Sequence, residues 1–372
     1  MRQAPTLPAD VRRALEKIFP GDAAVFTPEE MFVYGADASR RHALPSAVVR
    51  PDDLQQLRAL MALVQEHRLP VLPRGRGTNP VGDCTPVAGG VVVSAARLNR
   101  IKDIDADDFV AVVEPGVVTA DLQAEAAGKR LFYAPDPASV KFSTVGGNVA
   151  TCAGGMRAVK YGVTRDHVLG LTAVLPGGEV VRCGRRTHKN VVGLDLVRLF
   201  CGSEGTLGII TELTVKLLPL PAATATLALA FTDADAALTA AGDVFRAGIL
   251  PVALEFMARE AMAAVAAIKP VPWPETAGAA LLIRLDGSPE AVAADLALLE
   301  ATAKPAGPVW SRRAATPEDE EAVWEPRRLL NPASFKAAPD KISDDVTVPR
   351  GQLRAAAAGI KAVADELSLK IL

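Results

Sequence analysis

Residues 135–162 constrain the fold most. They hold two glycine pairs, Gly146-Gly147 and Gly154-Gly155, separated by Asn148-Val149-Ala150-Thr151-Cys152-Ala153, and only one acid, Asp136. A run of glycine, hydroxyl and amide residues packs little apolar surface of its own. It can instead bring bare backbone close to a neighbour or a ligand, because no Cβ stands in the way. The segment reads either as a ligand-facing glycine-rich loop or as a connection between ordinary strands. The rest of the chain decides between them.

A second stretch of the same character, Pro73-Arg74-Gly75-Arg76-Gly77-Thr78-Asn79-Pro80-Val81-Gly82, follows the short apolar pair Val71-Leu72. Its spacing does not fit the G-x-G-x-x-G fingerprint, and no helix follows to aim its N-terminus at a pyrophosphate, so a nicotinamide Rossmann domain is disfavoured. Taken alone it reads as a strand-connecting turn or as a phosphate wrap of backbone N–H groups, hydroxyls and arginines. Two such segments in one domain suit a diphosphate clamped from both sides by neutral donors.

Composition narrows the classes. The chain has 372 residues, 49% hydrophobic and 23% charged, enough for two or three domains. A net charge of −2 with no basic block argues against nucleic acid as a partner. No apolar run reaches the ~18–20 residues of a membrane span, and residues 1–8 lack a leader-like apolar core. Cys84, Cys152, Cys183 and Cys201 are scattered with no Cys-x-x-Cys pair, which disfavours a structural zinc or an iron–sulfur cluster in this chain. Reduced thiols in a cytoplasmic protein are the expectation. His42, His67, His167 and His188 show no metal-ligand spacing and read as surface or structural histidines, so no metal ligand is assigned.

Apolar periodicity predicts helices over 9–18, from 52 to before Pro70, 119–127 and 194–200, with strands at 47–49, 90–94 and 110–114. Pro176-Gly177-Gly178 predicts a hairpin between strands 168–175 and 179–182, and residues 202–211 turn into a strand ending at Pro219-Leu220-Pro221. Glycine motifs then stop. Strands at 224–231, 252–257 and 279–285 alternate with helices at 233–247 and 289–303, and a strand at 342–348 precedes a helix at 351–367. Repeated split β-α-β units predict an antiparallel sheet covered on one face by helices. The expected organisation is an N-terminal helical segment over 1–44, a ligand-binding domain over 45–221 and an α+β domain over 222–372. Residues 369–372 read as a strand just beginning.

In order along the chain, residues 73–79, 133–139, 144–148, 153–155, 160–164 and 202–208 resemble the FAD-binding domain of the vanillyl-alcohol oxidase superfamily (PCMH type). More narrowly, the chain from about residue 47 onward is similar to the D-subunit of glycolate oxidase and the FAD-linked D-lactate dehydrogenases. The resemblance implies an α+β fold: a two-subdomain PCMH-type FAD-binding domain, then a ferredoxin-like antiparallel substrate or cap domain. By it, Arg74, Gly75, Arg76, Gly77, Thr78 and Asn79 match the first pyrophosphate loop. Pro137, Ser139, Ser143, Thr144, Gly146, Gly147, Asn148, Ala153, Gly154 and Gly155 match the second loop and the wall along the isoalloxazine. Gly162, Val163 and Thr164 match the segment beneath the flavin, and Glu204, Gly205, Ile209 and Ile210 the adenosine side. Some members attach flavin to a histidine of the first loop; Gly77-Thr78-Asn79 stand there, so non-covalent FAD is expected.

Trp324-Glu325-Pro326-Arg327 resembles the family's Trp-x-x-Arg element, which makes Arg327 the expected ligand of a substrate carboxylate; the lesser alternative is an arginine on a solvated helix face. The implied activity is oxidation of a 2-hydroxy acid, glycolate or D-lactate, with hydride to flavin N5 and electrons on to a non-nicotinamide acceptor. That acceptor is an iron–sulfur subunit in related systems, which implies a hetero-oligomer that can sit peripherally at the inner membrane. The family continues with a His-x-Gly-Asp-Gly-Asn-x-His run associated with a divalent metal and proton abstraction. On this reading the second domain is incomplete at the C-terminus, a metal is expected only where such a segment is supplied, and the alternatives are an FAD-carrying subunit of a split enzyme or an alkyl-glycerone-phosphate-synthase-like transferase.

Overall fold

The computed structural model describes residues 6–39, 41–314, 316–338 and 341–372; the first five residues, read above for a leader and within the expected N-terminal segment, lie outside the described residues. The chain divides into two compact units. The first runs up to Gly155 and resumes over residues 161–220; the second joins residues 156–160 to residues 221–372.

In the first unit, β1 (Ala24–Val25), β2 (Ala47–Val49), β3 (Val71–Arg74) and β4 (Val91–Ser94) form a sheet in the order β1-β2-β4-β3, with β4 parallel to both β2 and β3. The helix Leu54–Glu66 makes the crossover; Asp53 caps it by accepting the Gln56 N–H at 2.9 Å. Val91, Val92 and Val93 are all buried because this parallel sheet is covered on both faces: Val91 and Val93 meet Leu57 and Leu60, while Val92 meets Met31 and Val48. Further on come β5 (Ile101–Asp105), β6 (Val110–Val113), β7 (Leu131–Phe132), β8 (Val168–Val174), β9 (Val180–Gly184), β10 (Ile209–Lys216) and β11 (Leu218–Pro219). Five of them make an antiparallel sheet in the order β5-β6-β10-β8-β9. Burial along β10 alternates strictly, placing Leu213 and Val215 in the core with Leu122, Tyr133 and Val149. The unexpected strand β5 is an edge carrying Lys102, Asp103 and Asp105, whose charges hide its strand character in the sequence.

In the second unit, β12 (Ala223–Phe231), β13 (Ala253–Ala258), β14 (Ala279–Gly287) and β15 (Trp310–Ala314) form an antiparallel sheet in the order β13-β14-β12-β15. Two interlocked split β-α-β units produce that order, β12 to β13 through the helix Ala234–Arg246 and β14 to β15 through Pro289–Ala303. Helices cover both faces, not one as expected. Leu227, Leu229 and Phe231 pack on Ala237, Val244 and Leu299, whereas Ala228 and Ala230 face Met262, Val265 and Trp324 from the helices Arg259–Ala266 and Pro317–Arg328. Double coverage explains why β12 and β14 read as continuous apolar runs.

The strand expected at 342–348 is absent: Ile342 is 90% and Val346 67% exposed. The place beside β12 belongs to β15, whose Trp-Ser-Arg-Arg-Ala sequence gave no strand signal, and Asp344-Asp345 oppose burial of the 342–348 run. Residues 369–372 form no strand either; the Leu369 N–H closes the helix Leu353–Glu366 on the Ala364 carbonyl at 2.8 Å.

His167 is buried in the first unit with Nε2 2.9 Å from the Tyr161 carbonyl and its ring edge-on to Tyr133 at 6.2 Å. Its Nδ1 has no hydrogen-bond partner among the described residues, and burial pushes its pKa below the ordinary 6.5. The unfolded chain therefore takes up this proton first, and stability falls as pH drops below about 6.5 towards the folded value. Chemical denaturation from pH 7 to about pH 5 is expected to show a shallower loss of stability in His167→Gln than in wild type. Equal slopes would assign that acid sensitivity to other groups.

Candidate functional site

Three segments of the first unit converge. The loop after β3 lies against Thr144 and Gly147: a Cβ on Gly75 would stand 2.5 Å from Thr144 Oγ1 and 3.7 Å from Gly147 Cα. The turn at Gly205 lies against the start of the same loop, where a Cβ would stand 2.7 Å from Pro73 Cγ. Gly77 adopts φ +64°, which favours glycine, and a Cβ there would stand 2.3 Å from Nη2 of the Arg74 guanidinium.

The two arginines of this loop have different surroundings. Arg74 is buried, donating to the carbonyls of Ala36 at 2.7 Å and Val33 at 3.3 Å, with Tyr34 under its guanidinium. Its side chain braces the loop from behind. Arg76 is exposed, and the N–H groups of Arg76, Gly77 and Thr78 meet no acceptor among the described residues. Thr78 and Asn79 are half-buried beside them. This edge offers one cation and free backbone donors, the composition an anionic diphosphate needs.

The second segment contains a helix, Val145–Thr151, where a loop is expected. Thr144 caps it by accepting the Gly147 N–H at 3.2 Å; the N–H groups of Val145 and Gly146 go to the Val117 and Pro115 carbonyls at 2.8 and 2.9 Å. Asn148 and Ser143 are buried and hold the helix in place: Asn148 Nδ2 donates to Thr119 Oγ1 at 2.7 Å, and that hydroxyl donates to the Ser143 carbonyl at 3.1 Å. Pro137 and Ser139 form the preceding turn, where the Ser139 carbonyl accepts the Ser143 N–H at 2.8 Å.

The glycine pairs divide by role. A Cβ on Gly146 would stand 2.4 Å from Pro115 Cβ, and one on Gly155 would stand 2.3 Å from the Asp136 carbonyl, so these two glycines are required by protein packing. Gly147 and Gly154 are not. A Cβ on Gly147 would meet only Thr144 Oγ1 at 3.1 Å, and one on Gly154 only a Val163 methyl at 3.7 Å. Neither has a left-handed backbone. Glycine inside a helix costs about 1 kcal/mol relative to alanine, and at Gly147 the protein would have to yield only a few tenths of an ångström at the Thr144 hydroxyl to accept a Cβ.

Ala153 joins this helix to the segment 162–164, its carbonyl accepting both the N–H and Oγ1 of buried Thr164 at 3.1 and 2.7 Å. Gly162 has φ +80°, and the Val163 N–H donates to Asp166 at 2.9 Å. Glu204 is exposed at φ +52°, with its N–H on the Ala150 carbonyl at 2.8 Å. Beyond it, Gly205 and Ile209 line a cavity of about 350 Å³ together with Met61 and Val64. Ile210 is half-buried. The contribution of Met61 and Val64 to a cavity was invisible in the sequence, because their spacing is that of any core-facing helix.

Cys84 and Cys201 flank these segments in sequence, and burial pushes both thiols up to about 12, which removes them as nucleophiles. Among the described residues no cluster of His, Cys, Asp and Glu could hold a metal ion.

In the second unit Arg327 lies at the end of the helix Pro317–Arg328. Trp324, three residues earlier, is buried, and its Nε1 donates to Thr226 Oγ1 at 3.1 Å. Thr226 and Arg284 both donate to Glu320 Oε1, at 2.7 and 2.9 Å, which fixes the helix against β12 and β14. Arg327 Nε donates to Glu255 of β13, a carboxylate that sequence reasoning did not connect with it. Lys341, also without a role from sequence, donates to Asn331 Oδ1 at 2.6 Å and to Ser334 Oγ at 2.7 Å.

The FAD binding domain family model matches residues 45–184, and the C-terminal domain model of FAD linked oxidases matches residues 220–372. Glycolate oxidase subunit GlcD of Bacillus subtilis (strain 168) is 39% identical over 340 residues, covering 91% of this chain and 72% of that protein. The chain belongs to the FAD-linked oxidase family. D-lactate dehydrogenase of Anaerostipes hadrus is 42% identical over 235 residues, 63% of this chain and 48% of that protein, so the match spans about half of that relative. A solved structure of alkyldihydroxyacetonephosphate synthase superposes with a TM-score of 0.82 over 98% of this chain and 76% of its own, at 20% identity, a likeness of fold alone.

FAD is the cofactor of this FAD-linked oxidase, and the first unit fits it on physical grounds. A Cβ would meet only Thr144 Oγ1 at Gly147 and nothing closer than 3.7 Å at Gly154, and Gly147 lies against Gly75, the residue before the exposed Arg76 and the free donors of residues 76–78. Gly147→Val is expected to leave the apo fold within about 1 kcal/mol of wild type while abolishing FAD retention. Gly146→Ala is expected to lower the stability of apo and FAD-loaded protein alike. Denaturation midpoints with flavin absorbance per chain separate the two; wild-type flavin content in Gly147→Val would refute this placement.

Proposed function

We propose that this FAD-linked oxidase is a D-2-hydroxyacid dehydrogenase that takes glycolate or D-lactate to the 2-oxo acid. The likeness to a glycolate oxidase subunit and a D-lactate dehydrogenase carries the reading, and the division of the glycines supports the flavin site it needs. In the proposed organisation residues 45–221 hold FAD non-covalently and residues 222–372 form the substrate domain, with residues 1–44 preceding them. Bound flavin supplies the two-electron acceptor for the C2 hydride. Arg76 and the N–H groups of residues 76–78 hold the diphosphate, and Gly147 and Gly154 leave room for the ring system. Residues 162–164 run beneath the ring, and residues 204–210 with the cavity beside Ile209 take the adenosine end. Arg327, steadied by Trp324 three residues away, takes the substrate carboxylate in a planar two-point contact.

Reducing equivalents leave to a non-nicotinamide acceptor on a partner chain, in keeping with the subunit name of the Bacillus relative. An iron–sulfur protein is the proposed class of partner, and any membrane association runs through it. No helix among the described residues is long and apolar enough to cross a membrane.

Mixing the FAD-loaded chain anaerobically with D-lactate or glycolate is expected to bleach the flavin, whereas Arg327→Met should need about 100-fold more substrate for the same rate, the loss of a desolvated bidentate contact. Stoichiometric flavin that no 2-hydroxy acid reduces would contradict the dehydrogenase reading.

A further inference from the structure

Arg327 does not wait for a substrate with its charge uncompensated. Glu255 accepts from Nε, and the pair is partly withdrawn from solvent, with side chains 34% and 18% exposed. Nearby charges on the same helix have partners of their own: Glu325 pairs with Lys269 at 2.6 Å, and Arg328 with Glu321. The Arg327–Glu255 couple is thus formally neutral. A guanidinium presents a side edge through Nε and an end edge through its two Nη groups. With Glu255 on the side edge, the end edge remains for an incoming carboxylate.

We propose that Glu255 is a specificity-determining residue that positions Arg327 and selects against substrates carrying a second negative charge. This rests on the carboxylate role of Arg327 given above. A 2-hydroxy monocarboxylate brings the arginine, Glu255 and ligand to a net charge of −1, and a dicarboxylate brings them to −2 in a partly desolvated place. Each added anion is repelled by Glu255, so the penalty grows with ligand charge. The same carboxylate holds the guanidinium plane, so its length matters for orientation and its charge for selection.

The test uses two anions that do not react with oxidised flavin, pyruvate and 2-oxoglutarate, titrated calorimetrically into the FAD-loaded full chain. Glu255→Gln keeps an oxygen for Nε and removes the charge. It is expected to tighten both anions and to lower the ratio of the 2-oxoglutarate Kd to the pyruvate Kd by about tenfold. Glu255→Asp keeps the charge but shortens the reach, and is expected to raise both Kd values with the ratio unchanged. Arg327→Met should weaken both anions. An unchanged ratio in Glu255→Gln, with Arg327→Met weakened, overturns the role of Glu255 and leaves the carboxylate reading intact. If Glu255→Gln fails to keep flavin, Glu255→Ser, which also removes the charge, reads the selection by the same ratio, and wild-type Kd values in Glu255→Asp overturn the positioning role. Wild-type binding in Arg327→Met, or binding of neither anion to wild type, overturns the carboxylate reading and the proposal with it.

Discussion

The hydroxyl of Thr144 is the point on which the first unit depends. It accepts the Gly147 N–H to start a short helix, and it occupies the space that any side chain at position 75 would need. One oxygen therefore joins the loop after β3 to the helix Val145–Thr151. Behind it, Asn148, Thr119 and Ser143 form a buried hydrogen-bonded chain whose members satisfy one another. Burying such groups is favourable only when they are paired, so this network fixes one position for the helix. The open backbone at Gly147 and the free donors of residues 76–78 follow from that placement.

The second unit is organised by a comparable device. Glu320 accepts from Thr226 and from Arg284, and Arg284 lies 4.9 Å from the Trp324 ring centre. A helix that carries Pro326 within it, and so lacks one backbone bond, is steadied by side chains instead. Trp324 is the buried end of that arrangement and Arg327 its more exposed end, where Glu255 completes the pair.

Much of the fold was legible because it rests on local pattern. The helix Leu54–Glu66, the hairpin of β8 and β9, and the two split β-α-β units follow from apolar periodicity and turn residues. What escaped depends on distant partners. β5 and β15 are edge strands rich in charge, recognisable only by what they pair with, while the apolar positions of 342–348 find no partner strand. In the candidate site, glycine composition marked the right segments but could not sort them. Gly146 and Gly155 serve packing, Gly147 and Gly154 open space, and the distinction lies in Pro115 and Asp136, remote in sequence. Arg74 and Arg76 are equivalent in sequence and opposite in role, because Tyr34 and the carbonyls of Val33 and Ala36 claim the first. Glu255 lies 72 positions from Arg327, a separation at which side-chain pairing leaves no mark in a single sequence.

FAD binding is expected to depend on the junction at Thr144. Titrating apo protein with FAD, wild type beside the near-isosteric Thr144→Val, tests it most directly. One FAD per wild-type chain, with affinity at least about tenfold lower in the variant as the cap is lost, is the predicted result. No FAD binding by wild type, or equal affinity in the two proteins, would contradict it.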